Sequence, residues 1–202
     1  MKWNHWPTLD EEIKEKKQFL TGRVLNAGCG SRSVSLPHAD SLINLDFIKG
    51  DNVDVVGSIE KMPFEDGEFD SILNIAVLEH VERPWIAVAE MGRVLKKGGR
   101  IVCCAPFFQP IHYVPTDYYR FTPDGLRFLF ESSGFEVQKL EYTHSLFHIL
   151  GWIGEDYFSE KGVVQKFLCS PFAFLFRFFT KHFKKFNVRS VPCVVTIVAK
   201  KL

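Results

Sequence analysis

At 202 residues the chain is long enough to bury a sizeable core, and its 46% hydrophobic and 24% charged residues are typical of a globular protein in water. This composition excludes a long disordered or low-complexity chain, and the first six residues contain no apolar stretch that would predict secretion. The five cysteines have no CxxC spacing, which favours a reduced, cytoplasmic protein over a disulfide scaffold.

Charge is divided unevenly along the chain. The formal net charge is +1, but residues 161–202 contain nine Lys or Arg, while all 24 acidic residues precede them. This asymmetry predicts either an anionic partner for the C-terminal part or mutual attraction of the two parts within the fold. No nucleic-acid recognition motif is visible, so we expect no nucleic-acid partner.

The N-terminal part, residues 1–22, is predicted to be a cap. Residues 9–20 have the pattern of a charged surface helix, with acidic residues in the first turn, where the helix dipole favours them. Three side chains of this helix are expected to face inward: Leu9, Ile13 and Leu20. Three residues before it are expected to cover the core or a ligand cleft: Trp3, Trp6 and Pro7.

Two short strands precede the residues that suggest a ligand site. Residues 24–27 form a buried strand pattern that ends in a Gly-Cys-Gly turn, and residues 42–45 form a second that ends at Asp46. In an open α/β sheet, ligands bind beyond the carboxyl ends of the strands. A glycine turn followed by a carboxylate suits a nucleoside, because the carboxylate can bind ribose hydroxyls. The match to a dinucleotide-binding loop is incomplete, since Ser33 stands where the third glycine would be.

The connections after these two strands are too short for helices, so we expect abbreviated crossovers there. Further strands are predicted at residues 53–56, 71–74, 101–105, 135–140 and 191–200. Pro84 begins a predicted helix whose C-cap is the pair Gly98 and Gly99. Its inward residues are predicted to be Trp85, Val88, Met91 and Leu95. Thr122 and Pro123 are typical of the N-cap and first residue of a second helix.

Residues 144–188 are predicted to form a helical, phenylalanine-rich and basic insertion before the last strand. Within it, residues 163–186 place phenylalanines on one side of a helix and basic residues on the other. The apolar side consists of Phe172, Phe176, Phe179, Phe183 and Phe186, and the basic side of Arg177, Lys181, Lys184 and Lys185. The segment is too short to span a bilayer, so it is predicted either to lie in an anionic membrane surface or to cover the sheet or a dimer interface.

Several short motifs occur together along the chain. They are residues 24–30 (VLNAGCG), 44–46 (NLD), 62–64 (MPF), 69–70 (FD), 78–80 (LEH), 93–99 (RVLKKGG) and 133–135 (SGF). In this order and spacing the chain resembles the class I S-adenosylmethionine-dependent methyltransferases of the type 11 group. The resemblance covers roughly Arg23 to Leu140, with residues 191–200 as the last strand, and the length of the chain suggests a single methyltransferase domain over residues 1–202. The resemblance implies a Rossmann-like α/β fold: a doubly wound, mostly parallel seven-stranded sheet with an antiparallel last strand.

The resemblance also implies S-adenosylmethionine as the cofactor. The positions that it implies for cofactor binding are Asn26, Gly28, Gly30, Asp46, Phe47, Ser58, Ile59 and Asn74. Of these, Asp46 would bind the ribose hydroxyls and Phe47 would pack on the adenine. The family usually has Asp where this chain has Asn26 and Ser58, which leaves open a methyltransferase-like domain that binds without turnover.

A long aromatic loop, residues 106–121, supplies the catalytic candidates. His112 has the pKa range of a general base near neutrality, Asp117 could orient it, and Arg120 could hold an anionic substrate. Alternatively, Asp117 and Arg120 form an internal pair that only pins the loop. His80 is expected to satisfy a loop backbone. No metal site is predicted, because no spacing demands that His80, His112 and Asp117 meet.

These observations predict methyl transfer from S-adenosylmethionine to an oxygen or nitrogen of a small, sugar or lipid-linked acceptor. The alternatives are a binding module without turnover and a nicotinamide-dependent oxidoreductase, which Ser33 disfavours. We expect a cytoplasmic protein. It would be peripheral at the inner membrane face if the basic insertion meets lipid, and a homodimer if the insertion covers a second subunit.

Overall fold

The computed structural model describes residues 8–113, 115–144, 146–159, 170–182 and 192–202. Within them, the strands in chain order are β1 (Gly22–Ala27), β2 (Ala39–Asp46), β3 (Val55–Val56), β4 (Phe69–Ile75), β5 (Leu95–Pro106), β6 (Phe135–Thr143) and β7 (Val194–Lys201). The helices are α1 (Leu9–Glu12), α2 (Pro84–Val94), α3 (Pro123–Glu131), α4 (Leu146–Ser159) and α5 (Ser170–His182).

The seven strands form one sheet in the order β3-β2-β1-β4-β5-β7-β6. Strands β1 to β5 run parallel, and β7 is antiparallel to both of its neighbours, β5 and β6. The strand order reverses between β1 and β4, so the carboxyl ends of these two strands flank a crevice of the kind in which open α/β sheets bind ligands. The predicted α/β class, the mostly parallel seven-stranded sheet and the antiparallel last strand are confirmed.

Two core clusters cover the two faces of the sheet. One joins the strands to α2 and α3, through residues that include Val88, Met91, Leu126 and Phe130. The other joins them to the N-terminal segment and α4, through residues that include Leu9, Ile13, Leu20 and Ile149. Neighbouring residues of β5 alternate between the clusters, Cys103 in the first and Cys104 in the second, as the opposite faces of a strand require.

The predicted abbreviated crossovers are confirmed. Residues 28–38 join β1 to β2 and residues 47–54 join β2 to β3, and neither connection contains a helix. A parallel crossover usually lays a helix on the sheet. Here the N-terminal segment fills part of that layer, because its inward residues share a cluster with Val34 and Leu36 of the first connection.

The predicted helix over residues 9–20 is wrong in its length. Helix α1 stops after one capped turn, and a separate 3-10 turn covers Lys17–Phe19. Between them Lys16 turns inward, and its Nζ lies 2.5 Å from the Glu141 carboxylate of β6, a contact that local periodicity does not encode. The inward residues are confirmed as buried: Leu9, Ile13 and Leu20. The predicted covering residues lie outside the described part of the chain: Trp3, Trp6 and Pro7.

Helix α2 begins at Pro84 as predicted, but the pair Gly98 and Gly99 is not its C-cap. The helix gives way directly to β5 at Leu95, and both glycines lie within that strand. Close approach of β4 explains one of them, because a Cβ at Gly99 would lie 2.8 Å from the Asp70 carbonyl oxygen. Among the predicted inward residues, Val88, Met91 and Leu95 are buried, whereas Trp85 is 53% exposed.

Helix α3 begins as predicted, with Pro123 in its first position and the Thr122 hydroxyl accepting a backbone N–H of the first turn at 3.0 Å. The predicted helical insertion, residues 144–188, contains α4 and α5 in its described parts. The following strand, β7, is buried and begins at Val194, a few residues later than predicted. No helix among the described residues is long and apolar enough to cross a membrane.

Candidate active site

The turn after β1 is shaped by two glycines with positive φ. Gly28 has φ +78°, and a Cβ there would lie 2.5 Å from a methyl carbon of Val77, so a larger residue does not fit. The N–H groups of Gly28 and Cys29 donate to the Leu45 carbonyl at 2.8 and 3.0 Å, which ties the turn to the end of β2. Gly30 has φ +55° and open space where its Cβ would be. The turn therefore presents open backbone at the crevice.

Asp46, the last residue of β2, lies beside this turn. One carboxylate oxygen accepts the Gly30 N–H at 2.8 Å, and the other accepts the Ile48 N–H at 3.0 Å. An ionised carboxylate has about four lone-pair sites, so acceptor capacity remains for the hydroxyls of a ligand. Phe47 is 57% exposed and provides an apolar surface next to the carboxylate. The structure thus brings together four predicted cofactor positions: Gly28, Gly30, Asp46 and Phe47.

Two other predicted cofactor positions are enclosed in the protein. Asn74 has no exposed surface, and its Nδ2 donates to the Ala27 carbonyl at 2.9 Å, which ties β4 to β1 behind the turn. Ile59 is buried in the core cluster that faces α2 and α3. Protein atoms surround both side chains, and the contribution of these two positions to cofactor binding stays a prediction.

The two positions at which the family usually has Asp make local hydrogen bonds instead. The Asn26 Nδ2 donates to the Asn44 Oδ1 at 2.9 Å, within neighbouring strands. The Ser58 hydroxyl accepts the Glu60 N–H at 3.1 Å and so stabilises a turn. A direct role of Asn26 or Ser58 toward the cofactor stays a prediction.

A cavity of about 480 Å³ lies at the carboxyl ends of β4 and β5. Ala76, just after β4, and Ala105, near the end of β5, line it, and α4 of the insertion contributes Trp152. Two histidines, His80 and His112, also lie on its wall. The insertion and the aromatic loop therefore enclose a space next to the crevice between β1 and β4.

The loop between β5 and α3 is pinned by Arg120. Its guanidinium donates to both carboxylate oxygens of Asp117 and to the carbonyls of Gln109, Pro110 and Tyr119. These contacts occupy all five N–H donors that a guanidinium has. The structure therefore contains the internal pair of Asp117 and Arg120 that the sequence left as an alternative, and the guanidinium keeps no free donor for an anionic substrate.

Asp117 also positions His112, but through the backbone. Its Oδ2 accepts the His112 N–H at 2.8 Å, whereas the His112 Nδ1 is 3.7 Å away. The hydrogen bond from Arg120 lowers the pKa of Asp117 to about 2, so the pair stays charged near neutrality. Burial lowers the pKa of His112, which favours the neutral imidazole.

The sequence reasoning missed Glu79. Its side chain has no exposed surface, and neither carboxylate oxygen has a hydrogen-bond partner among the described residues. The Nε2 atoms of His80 and His112 lie 3.7 and 3.8 Å from its Oε1, beyond hydrogen-bond length. Burial raises the pKa of Glu79 to about 8. The LEH motif contains both Glu79 and His80, but only the folded loop brings His112 close to them.

The sheet order, the glycine turn after β1 and the carboxylate after β2 define the class I methyltransferase fold. Residues 25–103 match a family model described as a methyltransferase domain. A demethylmenaquinone methyltransferase from Renibacterium salmoninarum is 34% identical over 112 residues, which are 48% of this chain and 47% of that protein. A probable S-adenosylmethionine-dependent methyltransferase from Mycolicibacterium smegmatis is 27% identical over 169 residues, 73% of this chain and 65% of that protein.

Among solved structures, a putative methyltransferase from Bacillus halodurans superposes with a TM-score of 0.63 at 17% identity, covering 95% of this chain and 99% of that one. Over residues 25–103 the chain resembles the methyltransferase domain family, so the predicted resemblance is confirmed. It spans about half the length of the Renibacterium relative. The family implies S-adenosylmethionine as the cofactor. The site fits this group, because open backbone at Gly30, the Asp46 carboxylate and the exposed Phe47 ring adjoin one another.

We expect Asp117→Asn to lower the free energy of unfolding by about 3 kcal/mol, since it leaves the Arg120 guanidinium without its buried carboxylate. Because the pKa of Asp117 is lowered in the folded protein, the advantage of the wild type should be present above pH 3.8 and shrink as the pH falls toward 2. Urea unfolding at several pH values measures both the loss of unfolding free energy and its dependence on pH. Asp40→Asn, at an exposed position on β2, is the control, and a loss no larger than in this control would refute the pinning role.

Proposed function

We propose that this protein transfers the methyl group of S-adenosylmethionine to an oxygen or nitrogen of an acceptor with an apolar, lipid-like body. One observation carries the proposal: the glycine turn after β1 and the 480 Å³ cavity beside β4 lie at the carboxyl ends of neighbouring strands. A cofactor on the turn and an acceptor in the cavity would therefore meet at the crevice.

The chain's own contribution is binding and positioning. Asp46 would accept hydrogen bonds from the ribose hydroxyls, Phe47 would cover the adenine, and the open backbone at Gly30 would admit the methionine part. When bound, S-adenosylmethionine supplies an electrophilic methyl group. The protein must hold the acceptor atom about 3–3.5 Å from that methyl carbon and in line with the bond that breaks.

The cavity suits an acceptor with an apolar body and a polar part. Ala105, Trp152 and Val194 lie on its wall, together with six polar or charged residues: Glu12, Arg32, His80, Gln109, His112 and His144. The Renibacterium relative is named for demethylmenaquinone, which supports a lipid-like acceptor here as well. If the acceptor group is a hydroxyl, His112 is the residue placed to take its proton. Its imidazole lines the cavity, and its lowered pKa favours the uncharged form at neutral pH.

Asp46→Asn should weaken binding of S-adenosylmethionine and of its demethylated product by about 10- to 100-fold, because a hydrogen bond to a charged group contributes about 1.5–3 kcal/mol. Isothermal titration measures the affinities. Asp51→Asn, an exposed carboxylate a few residues away, should leave them unchanged. No heat with the wild type, or equal affinity in Asp46→Asn, would overturn the cofactor site, and heat with NAD instead would favour an oxidoreductase.

Turnover distinguishes an enzyme from a binding module. Incubation with methyl-labelled cofactor and a cell lysate, followed by separation into lipid, glycan, protein and small-molecule fractions, should label the lipid fraction. His112→Ala should lose this labelling and keep its cofactor affinity. If no fraction is labelled although the cofactor binds, the binding-module alternative, with Asn26 and Ser58 in place of the usual Asp residues, is favoured.

The α4–α5 insertion adds a surface that suits a lipid-like acceptor. Six of its apolar side chains are at least 40% exposed: Leu150, Ile153, Phe172, Phe174, Leu175 and Phe178. Phe179, predicted to share one side of the helix with Phe172, stacks on Phe147 of α4 with ring centroids 4.9 Å apart. The remaining predicted phenylalanine and basic side chains lie outside the described residues: Phe176, Phe183, Phe186, Arg177, Lys181, Lys184 and Lys185. We infer that this surface lies in an anionic membrane interface.

The wild type should co-sediment with vesicles that contain anionic lipid at low salt, and less at high salt, because basic residues near such a surface contribute about 1 kcal/mol each. Phe174→Ser should reduce this binding. Phe128→Ser, at a position on α3 that is 73% exposed, is the matched control and should not. If the wild type stays in the supernatant at low salt, the membrane proposal is wrong, and a dimer contact becomes the explanation to test by sedimentation.

A further inference from the structure

Three potential metal ligands converge under the wall of the cavity. Glu79, His80 and His112 each offer one ligand atom, and these atoms all lie within 4.8 Å of one another. The distances from the Glu79 Oε1 to the two Nε2 atoms are 3.7 and 3.8 Å. Such separations are too long for hydrogen bonds, but they are close to those between neighbouring ligands about 2.0–2.2 Å from one ion.

The hydrogen bond at the Nδ1 of each imidazole determines that the Nε2 is the atom available as a metal ligand. The His80 Nδ1 lies 2.5 Å from the Thr116 carbonyl oxygen, and the His112 Nδ1 lies 3.4 Å from the Pro110 carbonyl oxygen. A carbonyl oxygen only accepts, so each Nδ1 carries the proton and each Nε2 presents a lone pair. Donation from the outer nitrogen to a carbonyl is the arrangement that orients metal-binding histidines in proteins.

The carboxylate completes an electron-rich cluster. Both oxygens of Glu79 are fully buried and lack hydrogen-bond partners among the described residues. The nearby guanidinium of Arg120 is already occupied by Asp117 and three carbonyls. A buried carboxylate that faces two imidazole lone pairs is stabilised either by its own proton or by a cation between the three groups, because unpaired buried polar groups are costly.

We propose that Glu79, His80 and His112 bind one divalent transition-metal ion. Two imidazoles and one carboxylate suit Zn²⁺, Fe²⁺ or Co²⁺ better than Mg²⁺ or Ca²⁺, which prefer oxygen ligands. Three protein ligands leave coordination positions open. Since both histidines line the cavity, the open positions are accessible from it.

An ion at this site would bind the polar end of an acceptor in the cavity. This role of the ion rests on the proposed function. An acceptor hydroxyl on the ion has a lowered pKa and loses its proton to solvent. Its oxygen then bonds to the methyl carbon as the carbon–sulfur bond of S-adenosylmethionine breaks, releasing S-adenosylhomocysteine. In the metal-loaded protein the ion therefore replaces His112 as the group that promotes loss of the proton.

Cobalt titration tests the site directly, without any acceptor. The full chain, treated with a chelator and then titrated with Co²⁺, should bind one ion per chain with visible absorption bands, and excess Zn²⁺ should displace it. Glu79→Gln and His112→Ala should weaken cobalt binding by more than about tenfold, since loss of even an outer-shell partner costs about 10- to 100-fold. His38→Ala, at an exposed histidine, is the control and should bind as the wild type does.

The outcomes separate this proposal from the proposed function. No cobalt absorption in the wild type, equal binding in Glu79→Gln, or loss of binding in His38→Ala would overturn the metal site. Glu79→Gln keeps the size of the side chain, and circular dichroism with thermal unfolding establishes that the variants are folded. Calorimetry with S-adenosylmethionine on the same samples reports the cofactor site separately, so failure at one site is distinguishable from failure at the other.

Discussion

The crevice depends on how the turn after β1 is tied to the end of β2. Gly28 and Cys29 donate to the Leu45 carbonyl, and Gly30 donates to the Asp46 carboxylate. No helix braces the connection between these strands, so the hydrogen bonds determine where the backbone of the turn lies. Only a residue without a Cβ fits at Gly28 against Val77. The open backbone and the carboxylate are therefore held in one fixed relation.

The short connections after β1 and β2 also explain why the N-terminal segment packs on the sheet. Where other α/β folds lay crossover helices on the sheet, this chain leaves apolar strand residues to be covered by residues 9–20 and by α4. Lys16 anchors that cover by its ion pair with Glu141 of β6. A buried charge is tolerated when it is paired, and Lys16 lies between the end of α1 and the 3-10 turn at Lys17–Phe19.

The aromatic loop, residues 106–121, places polar side chains at the cavity. Arg120 uses all of its donors within the loop, and Asp117 fixes the backbone of His112. The fixed loop places one imidazole 3.8 Å from a buried carboxylate, that of Glu79, which has no hydrogen-bond partner among the described residues. Burial raises the pKa of Glu79 to about 8, and buried ionisable groups with shifted pKa values are common at functional sites, which is why the proposed metal site lies at this cluster.

The sequence by itself determined most of the strands, the glycine turn and the place of Asp46 at a strand end, because burial patterns and turn residues are encoded among neighbouring residues. The order of short motifs indicated the resemblance to methyltransferases, and that resemblance implied the seven-stranded sheet. Only the tertiary structure decided that Asn74 is enclosed beside Ala27 and that Glu79 lies next to His112. Those facts depend on which distant segments pack together and exclude water, and local periodicity carries no information about either.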